Sequence, residues 1–257
     1  MKRIGRTIVQ WILYACARAV IAIHQPFTIA VSGSTDKTLV KEMLSLAFRE
    51  HGHRIRVNPK SFNTEIGLPL AILYLPSGGS SYRQWCGILI QALWKSIFER
   101  SFPPVLIVEL GVDHPGDMEY LLRIVHPMVA VMTTFTNQYL PNFQALERYA
   151  QEFEYCIRQV PSDGLVVLNS DDERIRLMEH SSAAPVWMIG EYANATVRLH
   201  EVNEGGDIQS WKIRSPITQE GNIFSTQRRG AHHRFAVTAA FLIHQWYDKK
   251  KLSHYMV

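Results

Sequence analysis

Ala30-Val31-Ser32-Gly33-Ser34-Thr35-Asp36-Lys37-Thr38 is the stretch on which the reading of the whole chain turns. A largely apolar run, Phe27 to Val31, feeds into it and a helical pattern leaves it, so it reads as a strand, a tight turn and a helix N-terminus. In that geometry the N–H groups of the turn and the positive end of the helix dipole point at one spot, which suits a phosphate group. Gly33, Ser34, Thr35 and Asp36 supply the turn. Lys37 is placed to reach terminal phosphates, and the Thr38 hydroxyl to face a magnesium ion, as at the Gly-Lys-Thr end of a P-loop. Asp36 is the departure: the glycine expected before the lysine lets the backbone approach the phosphate closely. Asp tolerates left-handed backbone angles better than most residues, which keeps the turn feasible. Its charge opposes the ligand, since a carboxylate ~5 Å from a phosphate oxygen, at an effective dielectric constant of about 20, repels by about 3 kcal/mol per unit charge. Taken alone, the segment is equally a chance strand-turn-helix carrying Lys and Thr.

The bulk composition narrows the rest. A length of 257 residues suits one large α/β domain with room for a buried core. With 47% apolar and 19% charged residues, the chain falls among ordinary globular proteins and outside the disordered class. A net charge of +4, with Lys and Arg scattered except for Lys249-Lys250-Lys251, leaves no nucleic-acid footprint, and only a mild preference for anionic partners. Cys16, Cys86 and Cys156 stand far apart with no CxxC pair, which argues against both a zinc site and a disulfide framework, and points to a reducing cytoplasm. Lys2, Arg3 and Arg6 precede an apolar run, Ile8 to Ile23, that superficially resembles a signal sequence. Gln10 and Arg18 interrupt it, and it reads as too short to span a bilayer. Ile4, Ile8, Ile12, Ala15, Ala19 and Ala22 recur at helical spacing, which favours a helix packed on the domain over a membrane-surface anchor through residues 1–23.

Further along, residues 37–52 form a helical pattern ending at a glycine, and His53 to Val57 a short strand. Trp85 to Arg100 is an apolar helix, and Val105 to Leu110 is apolar throughout except for Glu109. That pattern is a buried parallel strand with a carboxylate at its C-terminal end, the edge where open α/β sheets bind ligands. Met118 to Ile124 reads as a helix, Met128 to Thr133 as a strand, Phe143 to Val160 as one long helix, and Leu165 to Leu168 and Pro185 to Ile189 as strands. Between Ala195 and Ile213 the period shifts to alternation around Asn203-Glu204-Gly205-Gly206, an antiparallel hairpin. A helix from Phe235 to Trp246 precedes a lysine tail. The expected fold is α/β, a three-layer αβα sandwich of P-loop type, its mostly parallel sheet carrying an appended antiparallel hairpin.

Four motifs stand in order: VSGSTDKTLVKEML at 31–44, FNTEIGLPL at 62–70, VELGVDHPGD at 108–117 and PSDGLVVLNSDD at 161–172. From about Phe27 to about Trp246 the chain resembles the central ATP-binding domain of the Mur ligases, the peptidoglycan peptide-bond formers. The branch it most resembles adds D-alanyl-D-alanine to a UDP-muramyl tripeptide. The resemblance implies a reaction in which ATP phosphorylates a substrate carboxylate, an amine attacks the acyl phosphate, and an amide, ADP and phosphate result. It implies ATP and Mg2+ as ligands, a cytoplasmic setting, and UDP-muramyl peptide or cell-wall synthesis proteins as partners. By the resemblance, residues 1–26 form a leading amphipathic helix and 27–257 the central domain, while the family's UDP-sugar domain and its closing C-terminal domain are expected to be absent.

The same resemblance assigns roles. Lys37 would hold the β and γ phosphates, as the catalytic lysine. Thr38 and Glu109 would hold the first magnesium ion, Asn169 would lie near the nucleotide base, and Asn63 and Thr64 would face the muramyl peptide. Each has a plainer alternative: a strand-end carboxylate with local hydrogen bonds for Glu109, a turn cap for Asn169, turn formers for Asn63 and Thr64. The departures fall on cation chemistry. Tyr139 stands where the family carries a histidine for a second magnesium, and Phe153 where it carries a carbamylated lysine; a phenyl ring cannot coordinate a hard cation. The expectation is that Tyr139 and Phe153 pack into that ion's volume. His232 and His233, in a segment where the family carries asparagines at the positions of His233 and Ala236, read as structural rather than metal-binding, because neighbours at a helix start point in different directions. Three functions therefore stand: a ligase domain with impaired chemistry, a non-catalytic scaffold, and a membrane-surface tether.

Overall fold

Apolar runs with no polar alternation need cover on both faces, and the strands here obtain it. The computed structural model describes residues 3–59, 62–136, 140–143, 146–216 and 222–255. Strand β1 (Phe27–Ser32) lies between β3 (Val105–Glu109) and β4 (Val129–Met132), parallel to both. Among the described residues the sheet runs β2-β3-β1-β4-β5-β6-β7-β8-β9, with β2 (Ile55–Val57), β5 (Leu165–Asn169), β6 (Val186–Gly190), β7 (Val197–Asn203), β8 (Gln209–Arg214) and β9 (Ile223–Thr226). Pairing is parallel as far as β7 and antiparallel from β7 to β8 and from β8 to β9.

The two faces divide the strand residues by parity. Ala30, Leu106, Val108, Ala130, Met132, Val166 and Leu168 face one core, together with helices α1 (Arg3–His24), α3 (Gly67–Leu73), α4 (Tyr82–Phe98), α5 (Asp117–Leu122) and α7 (Leu146–Arg158). Ile29, Val31, Val105, Ile107, Val129, Val131, Leu165 and Val167 face the other, under α2 (Lys37–Glu50) and α9 (Ala231–Tyr255). The result is the expected three-layer αβα sandwich with a mostly parallel sheet. Strand order turns at β1, so the loop after Ser32 opens at the crevice where doubly wound sheets bind ligands.

Several boundaries differ from the sequence reading. The helix expected over Phe143 to Val160 is α7 preceded by a separate short helix, α6 (Leu140–Phe143). The hairpin gains a third strand, β9, and Asp172 caps a short helix, α8 (Glu173–Arg176), followed by a 3-10 turn, Leu177–Ser181. Lys249-Lys250-Lys251 is no loose tail. It belongs to α9, where Lys250 Nζ donates to Asp163 Oδ2 at 2.8 Å. The N-terminal apolar run, read as too short for a bilayer, extends as helix over Gly5–His24, which by length and composition could cross a membrane. In this fold α1 buries Val9, Leu13, Ala17 and Val20 and packs on α3 and α4. Tyr139 lies outside the described residues.

Candidate nucleotide site

The loop leaving β1 is held by the segment leaving β4. Ser34 N–H donates to the Thr134 carbonyl at 2.7 Å, and Thr133 Oγ1 donates to the Thr35 carbonyl at 2.6 Å. The hydroxyls of Thr35 and Thr134 stand 2.6 Å apart, and Ser34 Oγ shares a hydrogen bond of 3.0 Å with the Tyr149 hydroxyl. Gly33 has a φ of +135°, and a Cβ there would stand 2.1 Å from Thr133 Oγ1, so only glycine lets the two segments close. Asp36 has a φ of +61°, the left-handed conformation its residue type tolerates, and its carboxylate accepts from Thr35 Oγ1 at 2.9 Å. It caps α2 by position without a side-chain hydrogen bond to the helix.

Lys37 folds back into the concavity of the loop and donates to the carbonyls of Gly33 at 2.7 Å and Ser34 at 3.0 Å. Burial holds its ammonium below the ordinary lysine range, while the charges of Glu109, Asp113 and Asp36 pull the other way. Thr38 Oγ1 donates to Glu109 Oε2 at 2.9 Å, and Asn63 Nδ2 to Glu109 Oε1 at 2.7 Å. Lys41 Nζ stands 3.7 Å from the same carboxylate. Asn58 completes the seat of Glu109: its Oδ1 accepts the Glu109 N–H at 3.0 Å. The fold thus brings together Lys37 and Thr38 from the start of α2, Asn63 from the loop after β2 and Glu109 from the end of β3. The buried carboxylate is partnered on both oxygens, as a charge out of water requires. Thr64 serves differently, its Oγ1 accepting the Gly67 N–H at 3.3 Å at the start of α3.

A cleft of about 610 Å3 opens beside the loop, lined among others by Asp36, Thr134, Asn169, Asp172, Arg174 and His232. Asn169 does two things there: it lines the cleft, and its Oδ1 accepts the Asp171 N–H at 3.1 Å as a turn cap. Asp172 ties the same wall together, accepting the Phe135 N–H at 2.7 Å while capping α8. The oxygen set of Thr38 and Glu109 fits a hard divalent cation such as Mg2+. Phe153 does not fit one. It is wholly buried, its ring 5.0 Å from that of Tyr149 and 5.6 Å from that of Phe135, and among the described residues Tyr149, through its contact with Ser34, links it to the phosphate loop. The sequence reading placed Phe153 at the cation volume with Tyr139. The described neighbours of its ring are Phe135 and Tyr149, in the core behind the loop.

Asn58, Lys41, Thr133, Thr134 and Tyr149 were missed in the sequence. For Asn58, Thr133 and Thr134 a signal existed, since each follows the C-terminal end of a parallel strand, the edge that also marked Glu109.

The profile of the Mur ligase middle domain matches residues 97–243. The chain belongs to the Mur ligase middle-domain family. It is 24% identical over 209 residues to the UDP-N-acetylmuramoyl-tripeptide--D-alanyl-D-alanine ligase of Buchnera aphidicola subsp. Baizongia pistaciae, covering 81% of this chain and 39% of that enzyme. To the enzyme of the same name from Mycobacterium tuberculosis it is 27% identical over 158 residues, 62% of this chain and 26% of that one. MurF from Acinetobacter baumannii superposes with a TM-score of 0.71 at 19% identity, covering 90% of this chain and 45% of the other. MurF ligase from Thermotoga maritima in complex with ADP superposes at 0.70 and 18%, covering 92% and 49%. This Mur-type chain therefore spans between about a quarter and two-fifths of the curated relatives cited here. Its fold is that of the central domains in the solved ligases.

Proposed function

We propose that this chain is a Mur-type ATP-binding domain, related to ATP-dependent amide formation on UDP-muramyl peptides, whose ligation chemistry is impaired. The observation that carries the nucleotide reading is the convergence of Lys37, Thr38 and Glu109 at the C-terminal ends of β1 and β3. Thr38 and Glu109 would hold Mg2+, which when bound offsets phosphate charge. Lys37 must release the Gly33 and Ser34 carbonyls to bind phosphate oxygens, and Asn63 holds the Glu109 carboxylate toward Thr38. Asp36 supports the impairment: its carboxylate belongs to the loop that would receive the phosphates, and the site focuses negative on negative. Phe153 supports it too, because it occupies the sequence position of the family's carbamylated lysine and a phenyl ring offers a cation no oxygen.

A second reading, a non-catalytic scaffold that binds UDP-muramyl peptide or cell-wall synthesis proteins through the same face, is favoured by Lys37 lying on its own loop carbonyls. Calorimetric titration with Mg-ATP separates the two. The native chain is expected to bind weakly, and Asp36→Gly to bind at least tenfold tighter, a gain of about 1.4 kcal/mol out of the roughly 3 kcal/mol repulsion. Equal affinity in the two overturns the role given to Asp36. No binding by either leaves the scaffold reading, and phosphate release at ordinary ligase rates with a muramyl tripeptide present overturns the impairment.

A further inference from the structure

A second cluster of chemistry-bearing side chains lies at the other edge of the sheet. Helix α2 ends at Glu50, and the turn His51-Gly52-His53 is closed by Gly52 N–H to the Arg49 carbonyl at 2.9 Å and His53 N–H to the Phe48 carbonyl at 3.0 Å, with Gly52 at a φ of +78°. This turn sets His53 just before β2, at the N-terminal edge of the parallel strands, whereas the nucleotide cleft lies at their C-terminal edge. Helix α9 packs on α2 and presents His244 and Asp248 one turn apart on a single face. His53 Nε2 and His244 Nε2 stand 3.2 Å apart. The Asp248 carboxylate spans both, with Oδ1 at 3.1 Å from His53 Nε2 and Oδ2 at 3.3 Å from His244 Nε2.

We propose that His53, His244 and Asp248 form a binding site for a divalent transition metal, Zn2+ being the ion that fits the donors best. Ligand atoms about 2.0–2.1 Å from a tetrahedral zinc ion are about 3.3 Å from one another; the two imidazole nitrogens, 3.2 Å apart, match that edge, and each has one Asp248 oxygen at 3.1–3.3 Å. Two imidazoles and one carboxylate are the borderline donors zinc prefers; Mg2+ and Ca2+ call for more oxygen ligands. His244 is buried and His53 half-buried, so the site is walled on the protein side. The ring of His51 lies 4.0 Å from that of His244 and its Nδ1 contacts the Ala47 carbonyl at 2.8 Å, so the cluster is braced from the α2 side. The Asp248 side chain is 41% exposed, which gives the ion an entry path and leaves its remaining coordination position toward solvent. A bound ion would clip the end of α9 to the turn after α2.

The test is calorimetric titration of the whole chain with ZnCl2, run beside His53→Gln and Asp248→Asn, two partly exposed positions whose variants are checked for native circular dichroism. One saturable site is expected in the native chain. Each variant should weaken it beyond the roughly 10–100-fold that loss of an outer-shell partner costs. Zn2+ should raise the melting temperature of the native chain and not of either variant, and Co2+ should give the visible absorption of a low-coordinate site in the native chain only. Absence of saturable Zn2+ binding overturns the proposal. So does binding unchanged in both variants, which would assign the ion to other histidines, such as the exposed His232 and the half-buried His233; the double variant His232→Ala, His233→Ala identifies that case.

Discussion

Gly33 and Asp36 show how much of the nucleotide loop rests on single backbone conformations. Replacing Gly33 by alanine would drive a methyl group into Thr133 Oγ1 and bring it within 3.1 Å of the Thr134 backbone, at a φ that L-residues avoid. Gly33→Ala is therefore expected to cost about 1–3 kcal/mol in urea unfolding and to abolish what nucleotide binding exists. Asp36 carries left-handed strain of its own, so Asp36→Gly should unfold at higher urea than Asp36→Ala, by about 1 kcal/mol, even without ligand. Equal stability of the two variants would show that the turn relaxes. At this scale the sequence made Lys37, Thr38 and Glu109 visible, because residue type and position at a strand end suffice to mark them. It hid Lys41 and Tyr149, which reach the site only through helix packing and carry no local signal. Asn63 was visible as a residue, while its donation to Glu109 at 2.7 Å carries no sequence signal.

Helix α7 shows the same division between what spacing reveals and what packing decides. Its apolar positions predict a helix, and the structure buries Tyr149, Phe153, Cys156 and Ile157 on one face of it. What spacing could not show is that Phe153 belongs to a group of rings with Phe135, Tyr149 and Phe143, centroids 4.7–5.6 Å apart. This wall backs the phosphate loop through Tyr149. Restoring the family's lysine by Phe153→Lys is thus expected to destabilise the chain by about 3–5 kcal/mol through the lost ring and a buried ammonium, and not to restore ligation. Urea unfolding monitored by circular dichroism measures the first part and phosphate release the second. A stable, active Phe153→Lys chain would mean that the rings can part to admit a cation site. Strands β1 to β6 were legible to within about two residues, since apolar runs mark them, whereas the half-exposed β9 carries no such run. The helix ends were not: α9 begins before Phe235 and continues past Trp246 because its flanking polar residues find partners, as Lys250 does with Asp163.

For the molecule as a whole, the three cysteines report how firmly one layer of helices, that of α1, α4 and α7, is laid on the sheet. Cys86 is exposed, while Cys16 and Cys156 lie on the buried faces of α1 and α7, and burial pushes both buried thiols up, Cys156 to about 12 from an ordinary 9.0. Native protein should release one equivalent in a thiol titration at pH 8, from Cys86, and all three only after denaturation, because the thiolate is the reactive form. The sign of the pH effect follows from the same shift. The folded state keeps the Cys156 proton and the unfolded state gives it up from pH 9 upward, so this contribution to stability is complete below pH 9 and is lost as pH rises from 9 towards 12. The slope is at most about 1.4 kcal/mol per pH unit. Cys156→Ala removes that slope at the cost of a small cavity, so its unfolding free energy, measured in urea at pH 8 and at pH 10.5, should fall less between the two than that of the native chain. If native and variant fall in parallel, Cys156 meets water before the chain unfolds, and the layer formed by α7 opens ahead of the sheet.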